Sequence, residues 1–477
     1  MLYKNKLVVN SFFYTIGEII PKILSFILLP VLTRYLSPAE YAINNYTSTI
    51  MGFLLVLSVL SLNTFLLRNY YKTSTDVERK KLVGSIFILT IIVNLFFSAI
   101  SFAIFPSAIK LFKINIPFYP YFFLAIIINA LDGVTIIPMV LYRVREQAKI
   151  FVTINVSKTF FQLIITYILL RYYNWGLVSV YISRLTISLI YSFFFIRIVS
   201  RASIFKFNLS QVKSALRFSF PLLPGALSYL FITSFDRIIL ERNVSLTELG
   251  IYSTAATLAL TLNIIVQGLY RSFEQKIFQQ HGQQGYQKLV LNLGNLFFFM
   301  VIAGGILISC FCKEFFLLFT SHKYVEAYKS VPYQVVPVVI AGINVFLSTI
   351  LVADNKQIYI TKGTVMSLVI SVLIALILIP AFKIPGAIIS SIIAFLIVQI
   401  YYSINVGLNK KLLFKQMAIL IIPAIALIIN HYELDTIFKN LLFKSIIATI
   451  TIGFLFYLFK IPTIIKSKIL TEITKGT

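Results

Sequence analysis

Apolar runs long enough to cross a lipid bilayer recur along almost the whole chain, and only short charged loops separate them. A helix needs roughly 20 apolar residues to span the hydrocarbon core. The run IFILTIIVNLFFSAISFAIF (86–105) lacks the polar–apolar alternation that the strand of a membrane barrel requires. Hydrophobic residues make up 59% of the sequence and charged residues only 12%, which leaves no room for a soluble domain. The sequence therefore predicts an all-α integral membrane protein.

The apolar runs predict about fourteen transmembrane helices, in two groups of six followed by a final pair. The first group is 8–33, 41–67, 83–109, 117–141, 150–170 and 176–196. The second group is 218–240, 248–270, 289–312, 331–353, 359–381 and 385–407, and the final pair is 413–430 and 441–459. We therefore predict an N-lobe (1–200), a cytoplasmic inter-lobe linker (201–217), a C-lobe (218–408), and a last region of two further helices and a cytoplasmic tail (409–477).

The basic residues indicate the orientation of the chain. Most of the 42 Lys and Arg residues fall in loops that are cytoplasmic if the N-terminus is cytoplasmic, above all in 68–81, 143–149 and 201–217. Under the positive-inside rule this predicts a multi-pass protein of the bacterial inner membrane with both termini in the cytoplasm. The formal charge of +26 does not indicate a nucleic-acid partner, because the basic residues lie between apolar runs and not in one patch.

The two halves of the chain share a short motif. A shift of 208 residues places RYLSPAE (34–40) on RNVSLTE (242–248). The shared Ser and Glu have the spacing of a capping box, in which Ser37 or Ser245 would begin a helix and Glu40 or Glu248 would bond back to it. Six helices separate the copies, so both lie on the same side of the membrane. The motif predicts an internal duplication whose two lobes enclose a cavity, as in many secondary transporters.

Two segments carry a resemblance to a known family. LPVLTRYLSPAEYAINNY (29–46) and SFDRIILERNVSLTELGIYSTA (234–255) resemble the polysaccharide (O-antigen, repeat-unit) flippases of the multidrug/oligosaccharidyl-lipid/polysaccharide (MOP) exporter superfamily. Helix number, loop charge and duplication extend the resemblance over nearly the full length. One departure is Tyr41–Ala42, where such proteins usually show an aromatic residue followed by Gly; the second copy keeps Gly250.

The resemblance implies a transporter and not an enzyme. Its expected action is to flip undecaprenyl-diphosphate-linked oligosaccharide repeat units from the cytoplasmic to the outer leaflet by alternating access, for O-antigen and lipopolysaccharide biosynthesis. The expected partners are the lipid-linked oligosaccharide, membrane lipids, and the polysaccharide polymerase with its chain-length machinery, and the chain is expected to act as a monomer. The alternatives are a multidrug or cation antiporter or a peptidoglycan-precursor flippase of the same superfamily, or a membrane-embedded polysaccharide polymerase.

Charged residues inside the predicted helices are candidates for function, since each costs from about 2.5 kcal/mol upwards in a membrane helix. Four cations are predicted to form a cationic lumen for the diphosphate and for acidic sugars: Lys22, Lys158, Arg184 and Arg237. Arg184 lies near the middle of its predicted helix, and an arginine can bind phosphate bidentately where a lysine offers only a point charge. The structural alternative is that these charges only neutralise carboxylates or lock helices together.

Three intramembrane carboxylates are candidates for coupling to H⁺ or Na⁺: Glu18, Asp132 and Asp236. Glu18 precedes Lys22 by four residues, the favourable order for an ion pair on one helix face. Asp236 and Arg237 are adjacent and therefore point about 100° apart, so each is expected to find another partner. No phosphate-loop motif and no metal-ligand spacing is visible, so we expect no cofactor and no metal.

The orientation can be tested with single cysteines in a background that lacks Cys310 and Cys312. A membrane-impermeant maleimide should label Lys113→Cys in intact spheroplasts, because that loop is assigned to the outside. It should label Lys72→Cys, in the predicted cytoplasmic loop 68–81, only after permeabilisation. The opposite pattern would invert the assigned topology.

Overall fold

A computed structural model of the chain describes residues 2–73, 75–407, 415–431 and 437–464. This described part is built from helices and short connections and contains no strand. The chain divides into two compact units, Met1–Gly250 and Ile251–Thr477. The first unit thus includes the segment predicted as the linker, 201–217, part of which forms a helix. The predicted division into lobes stays a prediction.

The first unit contains nine α-helices. They are α1 (Leu2–Tyr35), α2 (Pro38–Val59), α3 (Leu62–Tyr70), α4 (Asp76–Leu111), α5 (Phe123–Val144), α6 (Ala148–Ile168), α7 (Leu177–Ala202), α8 (Leu209–Ser219) and α9 (Leu223–Asn243). Helix α5 packs against α4 and α7, α6 packs against α1 and α7, and α2 packs against α4 and α9. These contacts bring the middles of α5, α6 and α7 together, where the candidate site lies.

Both predicted capping boxes are present. The Ser37 main-chain N–H donates to Glu40 Oε2 at 2.8 Å, and the Glu40 main-chain N–H donates to Ser37 Oγ at 3.3 Å. The corresponding distances at Ser245 and Glu248 are 2.8 and 3.2 Å. Each box satisfies main-chain N–H groups that a helix start would otherwise leave without a partner.

Glu40 does more than cap its own helix. Its second carboxylate oxygen, Oε1, accepts a hydrogen bond from the main-chain N–H of Leu177 at 3.1 Å, so it also serves the first turn of α7. Glu40 is partly buried in the helix packing, whereas Glu248 is exposed. Near the second box, a side chain on Gly250 would overlap the main-chain carbonyl of Pro38. The glycine therefore permits a close approach that any larger residue would block.

The remaining helices lie in or lead into the second unit. Helix α10 (Leu246–Leu260) begins in the first unit and continues into the second. It is followed by α11 (Leu262–Gln280), α12 (Tyr286–Phe319), α13 (Val331–Ala353), α14 (Gln357–Val406), α15 (Ile421–His431) and α16 (Ile437–Leu458). Within the second unit, α13 packs against α11, α12 and α14, while α15 and α16 both pack against α12.

The continuous assignment of α14 covers two predicted spans. Fifty residues of straight helix would measure about 75 Å, far more than a bilayer's hydrocarbon core. The backbone breaks at Lys383, where φ is 53°, between the predicted spans 359–381 and 385–407. Ser367 Oγ donates to the carbonyl of Ala394 at 2.7 Å, and the Tyr402 hydroxyl donates to that of Ile360 at 3.2 Å. These bonds join the two arms of an antiparallel hairpin, as the sequence predicts.

By length and hydropathy, ten described helices can cross a membrane, or eleven when the pair Leu209–Ser228 and Leu230–Asn243, bent by 51°, is taken as one span. The other predicted spans correspond to α1, the second arm of α14 and the shorter apolar helix Met417–Ile429. The predicted number of fourteen is compatible with these helices.

The two boxes provide a matched pair for mutagenesis. Glu40→Ala should lower the apparent melting temperature of the protein in detergent more than Glu248→Ala does. The expected loss is about 1–3 kcal/mol, because Glu40→Ala also leaves the Leu177 N–H without its acceptor. Equal effects in thermal denaturation would show that the Glu40–Leu177 bond contributes nothing.

Candidate functional site

The candidate site lies where polar side chains of α5, α6 and α7 meet within the first unit. Asp132, Lys158 and Ser188 each lie near the middle of their helix. Helices α6 and α7 also carry apolar side chains that are exposed, as expected of surfaces that contact lipid. Their exposed apolar side chains include Phe160, Phe161, Tyr167, Leu189, Ile190, Phe193 and Phe194.

One carboxylate oxygen connects the three helices. Lys158 Nζ donates to Asp132 Oδ1 at 2.7 Å, and Ser188 Oγ donates to the same oxygen at 2.9 Å. Next to this group, the hydroxyls of Ser157 and Tyr191 lie 2.7 Å apart. We call Asp132, Lys158 and Ser188 the Asp132 cluster. The sequence predicts Asp132 and Lys158 as separate candidates, for ion coupling and for substrate binding; the structure joins them in one ion pair.

The ion pair between Asp132 and Lys158 is only partly buried. The side chain of Lys158 is 26% exposed and that of Asp132 is 35% exposed. A ligand with polar groups can therefore reach either charge.

Arg184 lies one helical turn from Ser188 on the same face of α7. Its guanidinium Nη1 donates to Ser48 Oγ on α2 at 3.2 Å. Within the described residues, it makes no ion pair with a carboxylate. The Asp132 cluster and Arg184 together therefore carry two cations and one anion, and the net charge of the group is positive.

Of the other predicted site residues, Lys22, Asp236 and Arg237 have described side chains, and no described hydrogen bond or ion pair joins them to this cluster. Lys22 on α1 is exposed. The side chain of Glu18 lies outside the described residues, so the predicted Glu18–Lys22 pair is left untested. On α9, the Arg237 main-chain N–H donates to Asp236 Oδ1 at 2.8 Å, and Arg237 Nε is buried without a hydrogen-bond partner among the described atoms. Their assignment to substrate binding or ion coupling stays a prediction.

A second intramembrane ion pair was missed by the sequence analysis. In the second unit, Lys444 Nζ on α16 donates to Glu314 Oε1 on α12 at 2.6 Å, and the two side chains are only 5% and 6% exposed. The predicted span 289–312 stops before Glu314, whereas α12 continues to Phe319. A pair that no ligand can reach is a structural link between helices, in contrast to the accessible pair in the Asp132 cluster.

The described residues offer no group of three or more His, Cys, Asp or Glu side chains that could hold a metal ion. The chemistry available at the Asp132 cluster is therefore ionic and hydrogen-bonding. A primary ammonium, a guanidinium and hydroxyls at mid-helix depth, bordered by apolar surfaces, favour an amphipathic anion, because charge-assisted hydrogen bonds to phosphate are strongest where little water competes.

Comparison with known proteins places these features in a wider context. Residues 7–271, more than half of the chain, match the model of the family described as polysaccharide biosynthesis protein. A Haemophilus influenzae protein of the Lsg locus is 25% identical over 312 residues, which cover 61% of this chain and 71% of the relative. A second membrane protein of that organism is 24% identical over 329 residues, covering 67% of this chain and 76% of the relative.

Solved structures share the fold. The lipid II flippase MurJ in an inward closed conformation superposes with a TM-score of 0.72 at 17% identity, covering 94% of this chain and 99% of that one. An inward-facing multidrug resistance MATE family transporter of the MOP superfamily gives 0.63 at 13% identity, covering 83% and 98%. A MOP superfamily transporter from Pyrococcus furiosus gives 0.56 at 16% identity, covering 85% and 96%.

These similarities bear on several predictions. The predicted all-α membrane fold is confirmed, and it is the fold of the MOP superfamily transporters among these solved structures. The solved proteins that share this fold are a flippase and transporters, which agrees with the prediction of a transporter and not an enzyme. The fold does not identify the substrate, because one fold serves many functions. The side chains of the candidate site are the better indication of what binds.

The two ion pairs should respond differently to loss of their lysine. Lys444→Met leaves Glu314 buried and uncompensated and should destabilise the protein by about 3–5 kcal/mol. Lys158→Met leaves Asp132 partly exposed and still bonded to Ser188, so a smaller loss than at Lys444 is expected. Thermal denaturation in detergent measures both, and the double variant Lys444→Met/Glu314→Leu should recover much of the loss. A larger effect at Lys158 would make the Asp132 cluster the structural pair.

Proposed function

The chain belongs to the polysaccharide biosynthesis protein family, and from this premise we propose that it flips undecaprenyl-diphosphate-linked oligosaccharide repeat units across the bacterial inner membrane. The units would serve surface polysaccharides such as O-antigen and lipopolysaccharide. Transport proceeds by alternating access: the carrier opens to one side of the membrane, binds the diphosphate and sugars, and then opens to the other side. The lipid tail stays in the bilayer throughout.

The observation that carries this proposal is the positive net charge of the Asp132 cluster with Arg184. Lys158 already neutralises Asp132 at 2.7 Å, so the cationic charge of Arg184 is left for a ligand. An Arg at membrane depth is costly, and a chain that keeps one without a carboxylate partner among its described residues gains from an anionic ligand. A diphosphate provides several acceptor oxygens that an Arg can bind in bidentate fashion.

The same charge count argues against a carrier for cationic drugs. Such a carrier needs an uncompensated carboxylate in its cavity, whereas Asp132 accepts hydrogen bonds from both Lys158 and Ser188. A membrane-embedded polymerase would require a group of catalytic side chains, and the Asp132 cluster contains only one carboxylate. Both alternatives remain as outcomes of the experiment below.

Energy coupling and partners complete the proposal. Coupling to H⁺ or Na⁺ would use an intramembrane carboxylate, with Asp132, Asp236 and Glu18 as the candidates. Lys22 and Arg237 would extend the cationic path beyond the Asp132 cluster. The polymerase and its chain-length machinery would take up the flipped unit, and the carrier would work as a monomer, with both termini in the cytoplasm.

Deletion of the gene in its host, followed by complementation, tests the function. The deletion strain should lose surface glycan and accumulate complete undecaprenyl-linked units on the cytoplasmic side. The wild-type gene should restore export, and Arg184→Ala should lower it at least tenfold. Arg197→Ala, which removes an exposed arginine nearer the end of the same helix, is the matched control and should restore export fully.

Other results would reject the proposal. Unchanged surface glycan with increased drug sensitivity would indicate a multidrug antiporter. Single units that reach the surface without polymerisation would indicate the polymerase. Wild-type export from alanine variants of all four cations, Lys22, Lys158, Arg184 and Arg237, would exclude the cationic path.

A further inference from the structure

We propose that Asp132 is an internal anion that occupies Lys158 in the empty carrier, and that the diphosphate of the substrate displaces it. This inference rests on the proposed function and extends it. It assigns to Asp132 a role in selecting the ligand. Only a ligand with more negative charge than a single carboxylate can displace Asp132 from Lys158. The class of ligand favoured is a lipid diphosphate, in preference to phosphodiester lipids with one charge.

The geometry of the Asp132 cluster is that of an occupied anion site. Asp132 Oδ1 accepts hydrogen bonds from an ammonium at 2.7 Å and from a hydroxyl at 2.9 Å. A lysine ammonium is also a common ligand of a phosphate oxygen, so a phosphate can replace the carboxylate on Lys158. The Asp132 carboxylate thus stands where a ligand oxygen would bind.

The position of Lys158 allows it to exchange Asp132 for another anion. Lys158 is 26% exposed, whereas Lys444 in the structural pair is 5% exposed. A lysine has a compact charge on a flexible four-carbon chain, which can reorient without moving the helix. Lys158 can therefore turn from Asp132 to a ligand, while Lys444 has no ligand to turn to.

Arg184 is the second cation through which a diphosphate can bind more strongly than the Asp132 carboxylate does. It lies one turn from Ser188 on α7, and its described hydrogen-bond partner is the neutral hydroxyl of Ser48. In the proposed exchange the diphosphate binds Arg184 as well as Lys158, whereas the Asp132 carboxylate contacts only Lys158 among these cations. A phosphodiester with one charge gains one such contact at a time and competes poorly with a carboxylate already in place.

Ser188 stabilises Asp132 after the exchange. When Lys158 leaves, the carboxylate keeps the Ser188 hydroxyl, and a hydrogen bond to an ionised group is about twice as strong as one between neutral groups. After the substrate is released, Asp132 binds Lys158 again. The empty carrier therefore returns without an uncompensated Lys158 at membrane depth, which lowers the barrier for the return step.

The test measures binding to the purified full-length protein in detergent by titration calorimetry. The probes are farnesyl diphosphate and, as the ligand with one charge, a short-chain phosphatidylglycerol. Asp132→Asn removes the competing charge and keeps an acceptor for Ser188. It should bind farnesyl diphosphate about tenfold more tightly than the wild type, which corresponds to about 1.4 kcal/mol. Its affinity for phosphatidylglycerol should rise by a larger factor, so selectivity falls.

Further variants separate this role from a structural one. The gain from Asp132→Asn should vanish in a Lys158→Gln background. Ser188→Ala, a mild change, should weaken farnesyl diphosphate binding about threefold, and it should have no effect when combined with Asp132→Asn. Asp76→Asn is the matched control: it breaks an exposed Asp–Lys pair with Lys80 near the start of α4, and binding should stay unchanged.

Each result is decisive. Unchanged or weaker binding by Asp132→Asn, or a gain that persists without Lys158, overturns the exchange while leaving the flippase proposal intact. If Asp132→Asn does not fold, unchanged binding by Ser188→Ala overturns it in the same way. If the wild-type protein binds neither probe and its deletion leaves surface glycan unchanged, the proposed function fails and the exchange fails with it.

Discussion

The hydrocarbon core of a bilayer contains almost no water that could solvate a charge. The arrangement of the ionic residues in this protein follows from that constraint. Each intramembrane ion must be neutralised by the protein or by a ligand. Glu314 and Lys444 follow the first course and are almost completely enclosed. Asp132 and Lys158 also neutralise each other, but they remain partly exposed. Arg184 is left with a hydroxyl partner, and this difference separates the residues that link helices from those that we propose to bind a ligand.

The main chain obeys the same constraint. Every helix start has N–H groups without a partner, and they are costly to bury. The two capping boxes satisfy them locally, and Glu40 adds a long-range bond to Leu177 at the start of α7. Inside the membrane, hydroxyls play a similar part: Ser367 and Tyr402 join the arms of α14, and Thr47 meets Tyr181 between α2 and α7. Polar residues thus connect helices whose surfaces are otherwise equally apolar.

The fold alone does not select the substrate, since flippases and multidrug transporters share it. What distinguishes them is the charge of a few side chains. In this chain, the positive balance at the Asp132 cluster and Arg184 favours an anion, consistent with the proposed lipid-linked substrate. In the proposed exchange, the Asp132–Lys158 pair adds selectivity, because the anion must compete with the Asp132 carboxylate for Lys158. Affinity and selectivity then depend on the same lysine.

The sequence by itself determined the all-α membrane fold, the capping boxes and the family, because hydropathy and helix-start signals are local properties of the chain. It also identified Asp132, Lys158 and Arg184 as unusual, since a charge in an apolar run is visible without a structure. Only the tertiary structure decided which charges meet. Asp132 lies 26 residues before Lys158, and Glu314 lies 130 before Lys444. Such distant pairs depend on how helices pack, which no local pattern records.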